Sequence, residues 1–164
     1  MNTFGKYLTR VEDILHYAGC LSLLTVAVLL NADILMRLFF GIPIQIQFEM
    51  TELYLMPALA CLSLSRVFRD GGHLALDVIP GGLSGPHWHL LRIFRLLLAA
   101  GFFAAVTYMS GQFAFEAFAQ GEVEFGAVDW PLGWAYLTVP LGCGILMVRL
   151  LYEATEEGVS NTSS

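Results

Sequence analysis

Four ionisable side chains, Asp33, Arg37, Glu49 and Glu52, flank one short connection. Asp33 and Arg37 stand four residues apart, and Glu49 and Glu52 three apart, so each pair shares one helix face. The connection FFGIPIQ is short enough to bring the two pairs to the same end. An ionised group near hydrocarbon costs about 2.5–3.5 kcal/mol on insertion scales, so it persists where it is paired, wetted or used by a partner. Three roles follow: a salt bridge that fastens two helices, a contact with another membrane subunit, or a substrate or ion site. The last needs further polar groups across the thickness, and one cluster at the edge does not make a pathway. Glu116 falls close to the end of its own apolar stretch, where it reaches the interface or meets Arg37. The membrane carboxylate of a proton-coupled exporter belongs nearer the midplane.

The remaining reactive residue types point away from catalysis. A membrane cytochrome needs paired axial ligands on facing helices. His16 lies near one end of the first apolar stretch, and His73, His87 and His89 lie in or beside a loop; none is mid-span. Cys20, Cys61 and Cys143 all sit inside apolar runs without the spacing of a metal or redox pair, so they read as small hydrophobes. The Gly pairs at 71–72 and 81–82 lack the flanks of a phosphate loop. No nucleophile–base pair appears. The sequence predicts no enzyme, no cofactor and no metal. A net charge of -6 with no basic patch excludes a nucleic-acid partner.

The elements that carry these residues are long and apolar. Of 164 residues, 57% are hydrophobic and 13% charged, against about 25% charged in a soluble domain. Ile14–Ala32 holds one ionisable side chain, His16, while Leu96–Phe115 and Trp130–Val148 hold none. Each run approaches the roughly 20 residues that cross about 30 Å of hydrocarbon. The pattern predicts an all-α integral membrane protein, a single membrane domain over 1–164 with four spans at about 14–39, 46–68, 90–118 and 131–152. Thr9 is placed to cap a helix starting at Arg10, with Glu12 and Asp13 in its first turn. Gly41 and Pro43 end that helix. Pro57 bends the second span. The third span is rich in small residues, which let helices approach closely. Trp130, Pro131 and Trp134 mark the start of the fourth, and Pro140 with Gly142 and Gly144 gives it a weakly kinked, closely packing middle.

Between the second and third spans, RDGGHLALDVIPGGLSGPHWHLL is too short and broken to cross a membrane. His73 and Asp77 are four apart on a short amphipathic turn suited to lie among lipid headgroups, with Arg66 or Arg69 as partners. Lys6, Arg10, Arg66, Arg69, Arg92, Arg95 and Arg149 fall on one side of the four-span reading, and only Arg37 on the other. Short loops rich in Lys and Arg stay in the cytoplasm, which places both termini there.

In order along the chain, FEMTELYL, RVFRDGGHLALDVIP and WPLGWAYLTVPLGCGILMVRLLYE resemble the small membrane subunit of tripartite ATP-independent periplasmic (TRAP) transporters, the DctQ-like family. Arg37 before a short break, Glu52 early in the second span, Gly72-His73 then Asp77, and Pro140-Leu141-Gly142 with Arg149 carry the resemblance, which covers about residues 10–152. It implies a non-catalytic subunit of the bacterial inner membrane that braces a large, multi-span, sodium-coupled carrier. A periplasmic binding protein would deliver the substrate, an organic acid such as a dicarboxylate, keto acid or sugar acid. The competing classes are a small membrane anchor of a respiratory-type complex and a self-contained small exporter.

Overall fold

A computed structural model describes residues 3–70, 86–126 and 128–162. His73, Asp77 and the expected interfacial turn lie outside the described residues.

Helix α1 runs Thr3–Phe40. It begins well before the expected cap. Thr9 is inside it and donates its hydroxyl to the Gly5 carbonyl at 2.9 Å, one turn back, so Thr9 caps nothing, and Glu12 and Asp13 lie in the third turn. A threonine can return its hydroxyl to the i−4 carbonyl of a continuing helix, which the capping reading overlooked. The far end is as expected: Gly41 follows at φ +70, a backbone state that Gly alone adopts cheaply, with its N–H on the Arg37 carbonyl at 3.0 Å.

The second stretch is not one helix. It comprises α2 (Gln45–Met50), a π-helical turn (Thr51–Leu55), α3 (Met56–Leu62) and α4 (Leu64–Arg69). Pro57 explains the π turn. Without an N–H it cannot close the α-helical bond to the carbonyl four residues back, and the turn before it widens. The second break, at Ser63, sits against α1: a Cβ on Gly19 would stand 2.7 Å from the Ser63 hydroxyl.

Helix α5 spans Pro86–Gln120, and α6 spans Leu132–Thr162. Between them is a short antiparallel ribbon, β1 (Val123–Phe125) and β2 (Asp129–Pro131), which the all-α expectation lacked. Trp130 and Pro131 therefore belong to a strand, and α6 starts only at Leu132.

The helices pack as a row rather than around a common axis. Helix α1 lies on α3, α3 lies on α6, and α6 lies on α5 along most of its length. Leu96 and Ala100 of α5 with Leu146, Leu150 and Ala154 of α6 form the apolar core, and Leu64 and Phe68 of α4 close it. Gly142 lets α6 meet α3 backbone to backbone, since a Cβ there would fall on the Cys61 carbonyl. Three described helices, α1, α5 and α6, hold stretches long and apolar enough to cross a membrane. Only 11% of that stretch is buried in α1 and in α5, against 28% in α6, which marks α6 as inner and the other two as flanks.

Candidate functional site

Two polar ties, one at each end of the row, hold the broken second stretch to its neighbours. The first gathers α1, α4 and α6. The Glu12 side chain is fully buried. It accepts the Ser65 hydroxyl at 2.7 Å and the Arg69 guanidinium at 3.0 Å, and Arg149 of α6 stands 3.8 Å away. Asp13 beside it accepts Arg69 at 2.7 Å and Arg66 at 3.1 Å. Asp70 lies 3.5 Å from both arginines, and Arg149 also reaches Glu153 at 3.3 Å. A buried carboxylate is tolerable only with its lone pairs filled by such donors. The knot is saturated: every acid in it has an arginine and every arginine an acid.

The second tie sits at the opposite end. Asp33, nearly buried, accepts the Ile44 N–H at 2.8 Å through one oxygen and the Arg37 guanidinium at 2.8 Å through the other. It thus supplies a carboxylate to the backbone just ahead of α2, where a helix start leaves its N–H groups unpaired. Glu49 accepts the Trp130 indole N–H at 2.8 Å, and its carboxylate closes over Gly126. Tyr54 donates to the Pro131 carbonyl at 2.7 Å, and its ring lies 5.6 Å from that of Trp130. The strand ribbon is thereby pinned onto α2 and the π turn.

In both ties the carboxylate oxygens are filled by donors from neighbouring elements of the same chain. Among the described residues no cluster of three His, Cys, Asp or Glu is placed to hold a metal ion. The description matching residues 26–157 is that of the tripartite ATP-independent periplasmic transporters, DctQ component. The chain belongs to this family. That makes it a membrane protein of the small permease component class, and the long apolar helices agree. No curated protein matches the chain.

Within this DctQ-family chain the charged residues singled out by the sequence separate. Asp33 and Arg37 pair with each other, Glu49 pairs with Trp130 instead, and Glu52 points outward. Glu116 does not meet Arg37; it is exposed and unpaired among the described residues. Arg149 joins the inner knot, and Pro140 lies half-buried inside α6. Arg66 and Arg69, expected to serve His73 and Asp77, are engaged by Asp13, Glu12 and Asp70. Sequence reasoning missed Glu12, Asp13 and Ser65. The available signal was balance: Glu12, Asp13, Asp70 and Glu153 stand at the same ends of their helices as Arg66, Arg69 and Arg149. It also missed Trp130 as a donor to Glu49, a pairing 81 residues apart with no periodic signature.

Proposed function

We propose that the chain is the small subunit that braces a large, sodium-coupled carrier in a TRAP transporter of the bacterial inner membrane. The carrier takes up an organic acid, a dicarboxylate, keto acid or sugar acid, handed over by a periplasmic binding protein. The family match carries this reading. The packing supports a brace: a row in which each helix meets its neighbours side by side, with polar ties holding the second stretch to them at both of its ends. The transport chemistry then belongs to the large subunit, and the surrounding lipid bears on the apolar flanks.

The reading includes four crossings with both termini in the cytoplasm. The second stretch, Gln45–Arg69, is long enough for a crossing of about 37 Å at 1.5 Å per residue. Its two ends are held at opposite ends of α1, by Asp33 and by Glu12, which supports a traverse of the same thickness as α1. Co-expression with a large permease subunit from the same genome tests the role. The two chains are expected to co-purify, and uptake into proteoliposomes to require both together with the binding protein. Uptake by this chain alone, or a large subunit that works unaided, would sink the reading.

A further inference from the structure

Polar residues of a membrane helix face protein or water, because hydrocarbon leaves them unsatisfied. Helix α5 breaks this rule within the chain. Its α6-facing side carries Leu96, Ala114 and Ala117, all buried. At 100° per residue, Gly101, Ala105, Tyr108, Gln112 and Glu116 fall on the opposite side, and all five are exposed. The Gln112 amide donates to the Tyr108 hydroxyl at 2.8 Å, leaving its own carbonyl oxygen open. Glu116 is unpaired among the described residues. Gly101 and Ala105 form a small-xxx-small step, and a Cβ on Gly101 or Gly111 would meet nothing within 4 Å. A shallow groove of about 440 Å³ runs beside the stripe, lined in part by Thr107, Gly111 and Phe115. The most polar and most approachable face of this flank helix is thus turned away from its own chain.

We infer that the Gly101–Glu116 stripe of α5 is the face on which a transmembrane helix of the large permease subunit packs. That helix presents small residues to Gly101 and Ala105 and a hydrogen-bond donor or cation to Glu116. The inference rests on the proposed role as a carrier's subunit and names the surface that role uses. A second copy of this chain fits poorly. Copies inserted in one orientation pair about an axis normal to the membrane, so each residue faces itself at the same depth. Glu116 would then oppose Glu116, and like charges repel. Lipid fits poorly too, because chains of hydrocarbon offer Gln112 no partner.

The test uses the whole complex, with a photoreactive phenylalanine analogue placed in turn at Ala105, at Gln112 and, as control, at Phe102 to the side of the stripe. Strong cross-links from Ala105 and Gln112 to the large subunit, and weak ones from Phe102, are expected. A second measurement uses Gly101→Leu. The open space there lets this chain keep its own melting temperature, while the recovered large subunit falls about tenfold or more. Cross-links only to lipid or to a second copy, with the two subunits still co-purifying, would overturn the assigned face and leave the subunit role standing. Failure of the unmodified chains to co-purify would overturn the role and the face with it.

Discussion

Glu12 is the side chain on which the inner end of the row depends most. Its carboxylate is out of contact with water and filled by Ser65 and Arg69, with Arg149 close by. Glu12→Gln removes the charge but keeps the shape, leaving Arg69 with Asp13 and Asp70. Glu12→Ala removes both and strands the Ser65 hydroxyl. Breaking one partner of a buried pair costs about 3–5 kcal/mol. The alanine variant should therefore fall near that range in a detergent unfolding titration, and the glutamine variant well short of it. A cycle combining Glu12→Ala with Arg69→Ala should show a loss smaller than the sum of the two, since both act on one bond; strict additivity would mean the knot is not coupled. At the other end, Trp130→Phe keeps the ring against Tyr54 and deletes the donor to Glu49. A hydrogen bond to a charged acceptor is worth about 1.5–3 kcal/mol, and the variant should lose stability of that order. If Glu49→Gln in the same background then restores nothing and costs nothing more, the bond accounts for the whole effect.

At the scale of elements, glycine separates contacts within the chain from surfaces that are open. Gly142 lies against the Cys61 backbone of α3, whereas Gly111 of α5 faces empty space. A backbone cannot move aside as a flexible side chain can, so Gly142→Ala should cost about 1–3 kcal/mol as an overpacking change. Gly111→Ala should leave the isolated chain unchanged or slightly more stable, because Ala is the better helix former. Thermal unfolding of the two purified variants reads the contrast, and equal losses would place α3 elsewhere. This contrast also shows what the sequence could and could not disclose. The apolar runs announced α1, α5 and α6 because hydrocarbon length is a one-dimensional requirement, and Gly41 announced the end of α1. Pro57 announced a bend, but not that the bend would be a π turn, which depends on how the freed carbonyls are shared. The charges at Asp33 and Arg37 were legible as an i, i+4 pair. Glu49 with Trp130, and Glu12 with Ser65, were not, because their pairing is set by which helices become neighbours in the row.

For the whole molecule, the proposed four crossings require α2–α4, interrupted as it is, to traverse the membrane. Each interruption is covered. The π turn is covered through its own Tyr54, which meets Trp130 and the Pro131 carbonyl, the Ser63 break lies on Gly19 of α1, and the charged end lies in the Glu12 knot. Broken backbone at membrane depth is tolerated where protein, not lipid, surrounds it, and the second stretch is flanked by α1 on one side and α6 on the other. The order of the row thus follows from its weakest helix: the interrupted stretch takes an inner place, and the intact α1 and α5 take the lipid- or partner-facing flanks. The basic residues set the direction. With Arg69 and Arg149 joined to Glu12 and Arg66 to Asp13 at one end, those ends of α1, α4 and α6 share a side, and in the proposed orientation Lys and Arg keep that side in the cytoplasm. Alkaline phosphatase, which needs disulfides formed in the periplasm, reads this out. Fused after Gly41 or after Glu122 it should be active; fused after Asp70 or Glu156 it should be inactive. Green fluorescent protein at the same four positions should give the inverse pattern. Phosphatase activity after both Gly41 and Asp70 would mean that the interrupted stretch does not cross, and the row would then have to lie partly outside the bilayer.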